Sequence, residues 1–426
     1  MFDLIVVGGG AAGFYGAIQT AIANPKLKIA ILERGKSVLG KVKVSGGGRC
    51  NVTHSVFEPL PLSKSYPRGG KELLGPFHSY APGDVVEFFE ERGVPLKVES
   101  DGRMFPVTDS SQTIIDCFLE TVRQYDITLL KNSSVKDIAP SKTIPEGWRV
   151  TTMNKHYHCK KLLVTTGSNP KMWQLLHGLG HKIIGPVPSL FTFNCNDGRI
   201  KGLQGLSTIA QVDILPKTHY DTKIVIQLKS MVRKEALFSE EGPVLITHWG
   251  FSGPAILKLS AWAAKELNEF HYHFKIRINW TTEYSHESML GFLGEMKFAE
   301  AKKTVLKTKL FDLPNRLWVR LVKAANIDTS ARWADLNKDQ VRNLASQLTE
   351  STFSIKGKST FKEEFVTAGG VDLKEINFKT FESKCLPNIY FAGEVLNIDA
   401  ITGGYNFQNA WTGAHIAAQA IAKSLS

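Results

Sequence analysis

The sequence predicts an α/β protein whose Rossmann-type dinucleotide domain is built from both chain ends, with an antiparallel β unit and a helical stretch inserted between them. Three runs predict it: an apolar stretch entering Gly8-x-Gly10-x-x-Gly13, an apolar strand ending in Thr166-Gly167, and a third ending in Gly393-Glu394 ahead of a last helix.

The first run, Phe2 to Val7, reads as a buried strand, and an Ala-rich helical pattern from Phe14 to Ala23 follows the glycines at once. That context gives the glycines meaning, because backbone N–H groups and a helix N-terminus then face a pyrophosphate. Gly8 serves the tight turn, Gly10, Ala11 and Ala12 the close approach of phosphate, and Gly13 the packing of helix on sheet. A second strand, Leu27 to Leu32, ends in Glu33, twenty residues beyond Gly13. This is where a carboxylate accepts hydrogen bonds from an adenosine ribose. Arg34 to Lys41 then reads as a connector passing the adenosine half.

Three consecutive glycines in Val42-Lys43-Val44-Ser45-Gly46-Gly47-Gly48-Arg49-Cys50-Asn51-Val52-Thr53-His54 rule out an ordinary helix or strand and predict a loop wrapped on a ligand. Its amides, Arg49 and Asn51 are suited to phosphates or a flavin edge. Cys50 has no second cysteine nearby, which favours packing over redox chemistry. Ser55 to Tyr80, rich in Pro, Gly and aromatics, reads as irregular. A helix is expected over Pro82 to Gly93, short strands over Val94 to Val98 and Gly102 to Pro106, and a helix from Ser110 to Tyr125. Strands follow at Ile127 to Leu130 and Ser134 to Ile138, then a sheet layer from Trp148 to Met153 with Tyr157 to Cys159. Lys161 to Gly167 resembles the crossing strand seen in glutathione-reductase-like flavoproteins.

Beyond Pro186 and Pro188, alternating segments at Leu190 to Cys195, Ser207 to Leu215 and Lys223 to Leu228 predict the antiparallel unit. Thr247 to Pro254 is a turn into a helix, Ala255 to Leu267, and carries His248, a proton-transfer candidate. Tyr272 to Trp280 reads as a strand, and Thr282 to Glu350 as a charged helical stretch. The expected boundaries are 1–186 and 366–426 for the dinucleotide domain, 187–281 with a return strand at 351–365 for the β unit, and 282–350 for the helices. At the end, the strand into Gly393-Glu394 resembles that of two-dinucleotide-type flavoproteins, in which the acid lies near the flavin's ribityl chain, and Gly404-Tyr405-Asn406 opens a helix whose N-terminus can stabilise an anionic reduced flavin ring.

Composition narrows the class. Of 426 residues, 43% are hydrophobic and 22% charged, as in an ordinary globular protein. No run approaches the length of a membrane span, and no secretory leader is visible, so a cytoplasmic protein is expected. Five cysteines without a CxxC pair exclude a disulfide framework, a zinc ribbon and a thioredoxin-reductase-like dithiol, and no metal ligand set is expected. The net charge of +12 fits an anionic partner. The basic residues read as dispersed, which ranks nucleic acid low and a small, anionic substrate higher. Oligomeric state is not encoded in any pattern here.

Together, Val44 to Thr53, Gly102-Arg103-Met104-Phe105-Pro106, Thr247 to Pro254, Val366-Thr367-Ala368-Gly369-Gly370-Val371 and Gly403 to Asn406 resemble the FAD-dependent oxidoreductase family that includes bile-acid-reductase-like and aminoacetone-oxidase-like proteins. The resemblance implies an FAD domain, a β-barrel-like insert and a helical subdomain. It implies FAD along Gly8 to Gly13, Glu33, Lys41, Ser45, Gly46, Gly47, Arg49, Cys50, Asn51, Val135, Thr166, Gly167, Gly393, Glu394, Gly404, Tyr405 and Asn406. The chain departs from the pattern at Asn397, where the family has Asp, and lacks a Ser-Thr-Gly-Asp-Gly loop after Pro170; either change bears on the substrate. The expected reaction passes hydride from NAD(P)H, a transient reductant, or from a reduced substrate through flavin N5 to a small acceptor such as an enone, or to dioxygen. Arg49, His248 and Tyr405 are the candidate catalytic residues. An RNA-binding or RNA-modifying flavoprotein and a non-catalytic FAD-holding scaffold are the alternatives.

Overall fold

The structure, a computed structural model, describes residues 1–216, 236–359 and 366–426. The strand expected at Lys223 to Leu228 and the last residues of the return strand at 351–365 lie outside them. The chain forms two compact units, Met1–Ser189 with Phe361–Ser426, and Leu190–Thr360.

The first unit begins with β1 (Phe2–Val7), α1 (Ala11–Ala23), β2 (Ile29–Leu32), α2 (Gly40–Gly48) and β3 (Thr53–His54). It continues through α3 (Pro59–Ser63), α4 (Gly70–Ser79), α5 (Pro82–Glu90), β4 (Leu96–Val98), β5 (Arg103–Pro106) and α6 (Ser111–Gln124). Then come β6 (Thr128–Leu130), β7 (Val135–Pro140), β8 (Trp148–Thr152), β9 (His156–Val164), α7 (Pro170–Gly178) and β10 (Ile183–Ser189).

The second unit holds β11 (Thr192–Asn194), β12 (Ser207–Leu215), β13 (Phe238–Ile246), β14 (Gly250–Ser252), α8 (Pro254–Trp262), α9 (Ala264–Glu269) and β15 (His273–Asn279). Three longer helices, α10 (His286–Ala299), α11 (Asn315–Ala324) and α12 (Lys338–Thr349), precede β16 (Ser351–Lys356) and β17 (Lys358–Ser359). The chain returns to the first unit with β18 (Val366–Val371), β19 (Ile376–Asn377), β20 (Glu382–Ser383), β21 (Ile389–Phe391) and α13 (Tyr405–Ser424).

The central sheet runs β19-β20-β21-β9-β1-β2-β6, with β7 and β8 attached through β9. Five consecutive strands, β21, β9, β1, β2 and the edge strand β6, are parallel. Each of Leu4, Ile5 and Val6 is fully buried, as a parallel strand covered on both faces requires. The last helix lies along the first: Gly16 leaves room for Leu163 and Ala414, and Trp411 is fully buried against Tyr15. In the second unit an antiparallel sheet, β16-β15-β12-β13-β14-β11-β17, shares its own core with α10, α11 and α12.

Four local expectations need correction. Ser55 to Tyr80 is not irregular but carries α3 and α4, because burying Leu62, Leu73 and Phe77 outweighs the local cost of Pro76 and the flanking glycines. Tyr157 to Cys159 and Lys161 to Val164 are one strand, β9, which pairs antiparallel with β8 at its start and parallel with β1 and β21 at its end. The two lysines that divide it in the sequence are held at its margins, Lys160 by Asp3 at 2.8 Å and Lys161 by the Asn388 side chain at 2.6 Å. Gly40 to Val44 is helical, so the glycine loop begins later than expected. The helix expected over Ala255 to Leu267 is two, divided at Ala263. Among the described residues no helix is long and apolar enough to cross a membrane.

Candidate functional site

The site starts where β1 ends. Gly8 has φ +115°, and a Cβ there would lie 2.5 Å from the Thr165 carbonyl oxygen; one on Gly13 would lie 1.9 Å from the Gly8 carbonyl oxygen. Only glycine lets β1, the start of α1 and the end of β9 converge so closely. Thr165 seals the convergence, its hydroxyl donating to the Val7 and Gly8 carbonyls at 3.1 and 3.0 Å. Glu33 spans the same place from β2. Its carboxylate accepts the Gly9 N–H at 2.9 Å and the Gly35 N–H at 2.7 Å.

Beside this turn is a pocket lined by Val7, Gly8, Leu32, Glu33, Arg34, Ser133, Ser134, Val135, Thr166, Asn169 and Met172. Val7, Leu32, Val135 and Met172 give it apolar surface and Glu33 a carboxylate, a mixture that suits an adenosine. Arg34 is exposed at the edge.

The second part is the glycine turn. After Val44, Ser45 leaves helical geometry (φ −64°, ψ 149°), and Gly46, Gly47 and Gly48 all take positive φ. Successive residues of this kind point their amides into one concavity, which accepts an anion. Cys50, also at positive φ, is fully buried, and burial pushes its thiol up to about 12, which suits packing rather than thiolate chemistry. The Arg49 guanidinium donates to Glu99 at 2.5 Å, reaches Asp109 at 3.4 Å and lies 4.0 Å over the Phe105 ring. Arg49 thereby ties the glycine turn to the β3-β5-β4 sheet.

The third part comes from the carboxy-terminal segment. Asn51, with its amide donating to the Thr53 carbonyl at 3.0 Å and accepting the Gly404 N–H at 2.9 Å, joins the glycine turn to the start of α13. Thr53 donates to Gln408 at 2.6 Å and Trp411 donates to the Val52 carbonyl at 2.9 Å. Tyr405 is buried, stacked on His54 at 4.6 Å, and burial raises its hydroxyl above the ordinary range. The Asn406 side chain braces its own loop, accepting from the Ala400 N–H at 3.0 Å and donating to the Ala400 carbonyl at 3.1 Å. Gly393 takes φ +77° with its Cβ position 3.3 Å from Ala12, and Glu394 pairs with Lys41.

FAD fits these residues on two structural grounds. Among the described residues of the first unit, the buried Thr166 Oγ1, Glu394 Oε1, Asn397 Oδ1 and Asn409 Oδ1 have no hydrogen-bond partner. An unpaired buried polar atom costs about 1–3 kcal/mol, so a polar ligand would stabilise the site. The N-termini of α1 and α13 are headed by Gly10 and Gly404, neither of which supplies a side-chain cap. Uncapped amides are left for phosphate and flavin oxygens.

Of the predicted residues, all but His248 lie in the first unit. His248 is exposed in the second, on the turn before β14. Sequence reasoning missed Thr165, Met172, Asn409 and the pair of Arg68 with Asp399. Asp399 is fully buried, accepts Arg68 Nε at 2.5 Å and Ser189 Oγ at 2.8 Å, and burial raises its carboxyl despite the guanidinium. Its partners are 331 and 210 residues away, beyond any local pattern.

The fold and this cradle define a Rossmann-type FAD-binding protein. The HI0933-like protein Rossmann domain matches residues 2–420, and the chain belongs to that FAD-binding oxidoreductase family. It is 28% identical over 428 residues to the ribosomal RNA dihydrouridine synthase of Escherichia coli, covering 98% of this chain and 97% of the relative. The protein of the same name from Haemophilus influenzae is 27% identical over 436 residues, with 98% of each chain covered. A 3-dehydro-bile acid delta(4,6)-reductase of Clostridium scindens is 23% identical over 430 residues, again with 98% of each covered.

Proposed function

We propose that this protein is an FAD-dependent reductase that saturates a carbon–carbon double bond conjugated to a carbonyl, and that its acceptor is a uracil ring in ribosomal RNA. The observation that carries the reading is full-length similarity to two ribosomal RNA dihydrouridine synthases in a chain that keeps the FAD cradle. The third relative's name describes a related reduction on a steroid. In both, the double bond is polarised by a carbonyl. In uracil, C5=C6 is conjugated with the C4 carbonyl, so hydride adds at C6 and a proton at C5.

When bound, FAD supplies two-electron chemistry between a nicotinamide and the acceptor. The exchange balances as one NAD(P)H and one proton consumed for each double bond reduced. The chain's own part is positioning and proton supply. Glu33 and the turn from Gly8 to Gly13 hold the adenosine diphosphate end, and the turn from Ser45 to Gly48, pinned by Arg49, offers amides. Tyr405, buried at the head of α13 with its hydroxyl raised by burial, is our candidate for protonating C5.

The test is anaerobic. FAD-loaded protein is bleached with NADH or NADPH and then mixed with an unmodified ribosomal RNA transcript, and the RNA hydrolysate is assayed for dihydrouridine. Flavin reoxidation with formation of dihydrouridine supports the reading. Reoxidation by a conjugated 3-oxosteroid but not by RNA would move the acceptor to a small enone; reoxidation by neither would end the proposal.

A further inference from the structure

The basic residues read as dispersed along the chain, but one stretch carries half of the net charge. Between Lys297 and Lys323 there are eight basic residues against Glu300 and Asp312, a balance of +6, which is half of the chain's +12. Of these, Lys302, Lys307, Lys309, Arg316 and Lys323 are exposed and make no ion pair among the described residues; Lys303 pairs with Glu300 at 2.6 Å.

The frame beneath them is rigid. The Val305 N–H donates to the Ala331 carbonyl at 3.0 Å, the Trp333 N–H to the Lys303 carbonyl at 3.1 Å, and the fully buried Trp333 indole to Thr308 Oγ1 at 2.9 Å. On α11, Leu317, Trp318, Leu321 and Val322 face the core. Arg316, Arg320 and Lys323, at i, i+4 and i+7, form the opposite stripe. Arg320 also donates to the Lys201 carbonyl at 2.9 Å, tying the stripe to the rest of the unit. In the last turn of α10, Phe298 is 84% exposed, more than any other large apolar residue described.

We infer that this face of the helical subdomain is the RNA-docking surface, with the cations engaging backbone phosphates and Phe298 stacking on a base. Cations on a fixed frame beside an exposed ring are the elements of nucleic-acid binding without sequence readout. An exposed phenyl ring among unpaired cations sets this face apart from an ordinary solvated charged one. The inference rests on the RNA reading above and adds where the RNA is held.

The experiment uses the full-length, FAD-loaded protein and a fluorescent RNA stem-loop, with anisotropy measured across a salt series. Neutralising Lys302, Lys307, Lys309, Arg316 and Lys323 to Gln together should lower affinity about 100-fold or more near ~0.1 M salt. The same change should reduce the salt slope by about 3–4. Phe298→Ala should weaken binding about 5- to 100-fold and leave the slope unchanged. Bleaching by NAD(P)H should match wild type in both. Should the fivefold variant fold poorly, the K302Q/K307Q/K309Q and R316Q/K323Q variants should each show part of the loss. Wild-type affinity and slope in well-folded variants would overturn the surface while sparing the RNA reading. No RNA binding by the wild-type protein at low salt would overturn the RNA reading itself. Polyglutamate competing as well as RNA would assign the face to an acidic protein and overturn the inference.

Discussion

Glu33 and Gly9 are joined by an N–H to carboxylate hydrogen bond of 2.9 Å, so the side chain that ends β2 fixes the phosphate turn that follows β1. The other oxygen holds Gly35. Glu33→Gln keeps the volume and removes one acceptor, and a hydrogen bond to a charged group is worth about 1.5–3 kcal/mol. FAD affinity should fall about 10- to 100-fold by equilibrium dialysis. Unchanged affinity would separate Glu33 from the cofactor.

Gly10 and Gly13 should fail differently. An Ala at 13 meets the Gly8 carbonyl oxygen at 1.9 Å, whereas nothing stands within 4 Å of a Cβ at 10. Gly13→Ala should cost about 1–3 kcal/mol or more in apoprotein stability. Gly10→Ala should melt like wild type yet bind FAD poorly, because its methyl group points where the pyrophosphate approaches. Calorimetry of the apoproteins and FAD titration check the two outcomes separately.

Breaking the buried Arg68 and Asp399 pair should be costly. Asp399→Ala leaves the guanidinium, only 12% exposed, facing a cavity, for about 3–5 kcal/mol in chemical denaturation. The double variant R68M/D399A should be less destabilised than the sum of the single ones. Additive losses would show that the pair does not act as a unit.

His415 sets part of the acid response. It stacks on Tyr80 at 3.9 Å, and burial lowers it to about 4 from an ordinary 6.5. The unfolded chain therefore binds more protons between pH 6.5 and 4. Stability from this group is full above 6.5 and is lost as pH falls to about 4, by at most about 3 kcal/mol. His415→Phe keeps the stack and should flatten the stability curve in that window. An unchanged curve would contradict the assignment.

Thiol labelling should separate the cysteines. Cys385 is exposed, whereas Cys50 and Cys159 are buried and pushed up to about 12, and Cys117 and Cys195 to about 11. A disulfide reagent should label one thiol rapidly in the native protein and the others only after denaturant. Rapid labelling of Cys50 would contradict its packing role.

The cradle was legible in the sequence where local rules govern it. A strand, spaced glycines and a helix cannot be arranged in many ways, and Gly8, Gly13, Glu33, Gly393 and Gly404 stand at the turns the motif requires. What escaped depends on distant partners. Leu73 and Phe77 make α4 a helix by packing, against a Pro-rich and Gly-rich local text. The continuity of β9 depends on Asp3 and Asn388 holding two lysines that look like a break. Asp399 has meaning only beside Arg68 and Ser189. The basic face appears only once α11 sorts its arginines and lysine opposite its leucines.

The central claim, that both chain ends close one FAD site, is tested most directly by titrating the apoprotein with FAD and following flavin absorbance. Wild type should saturate at one equivalent. Glu33→Gln near one terminus and Glu394→Gln near the other should each weaken binding about 10-fold or more while the apoprotein stays folded. A protein that stays colourless, or one in which Glu394→Gln binds as wild type does, would contradict it.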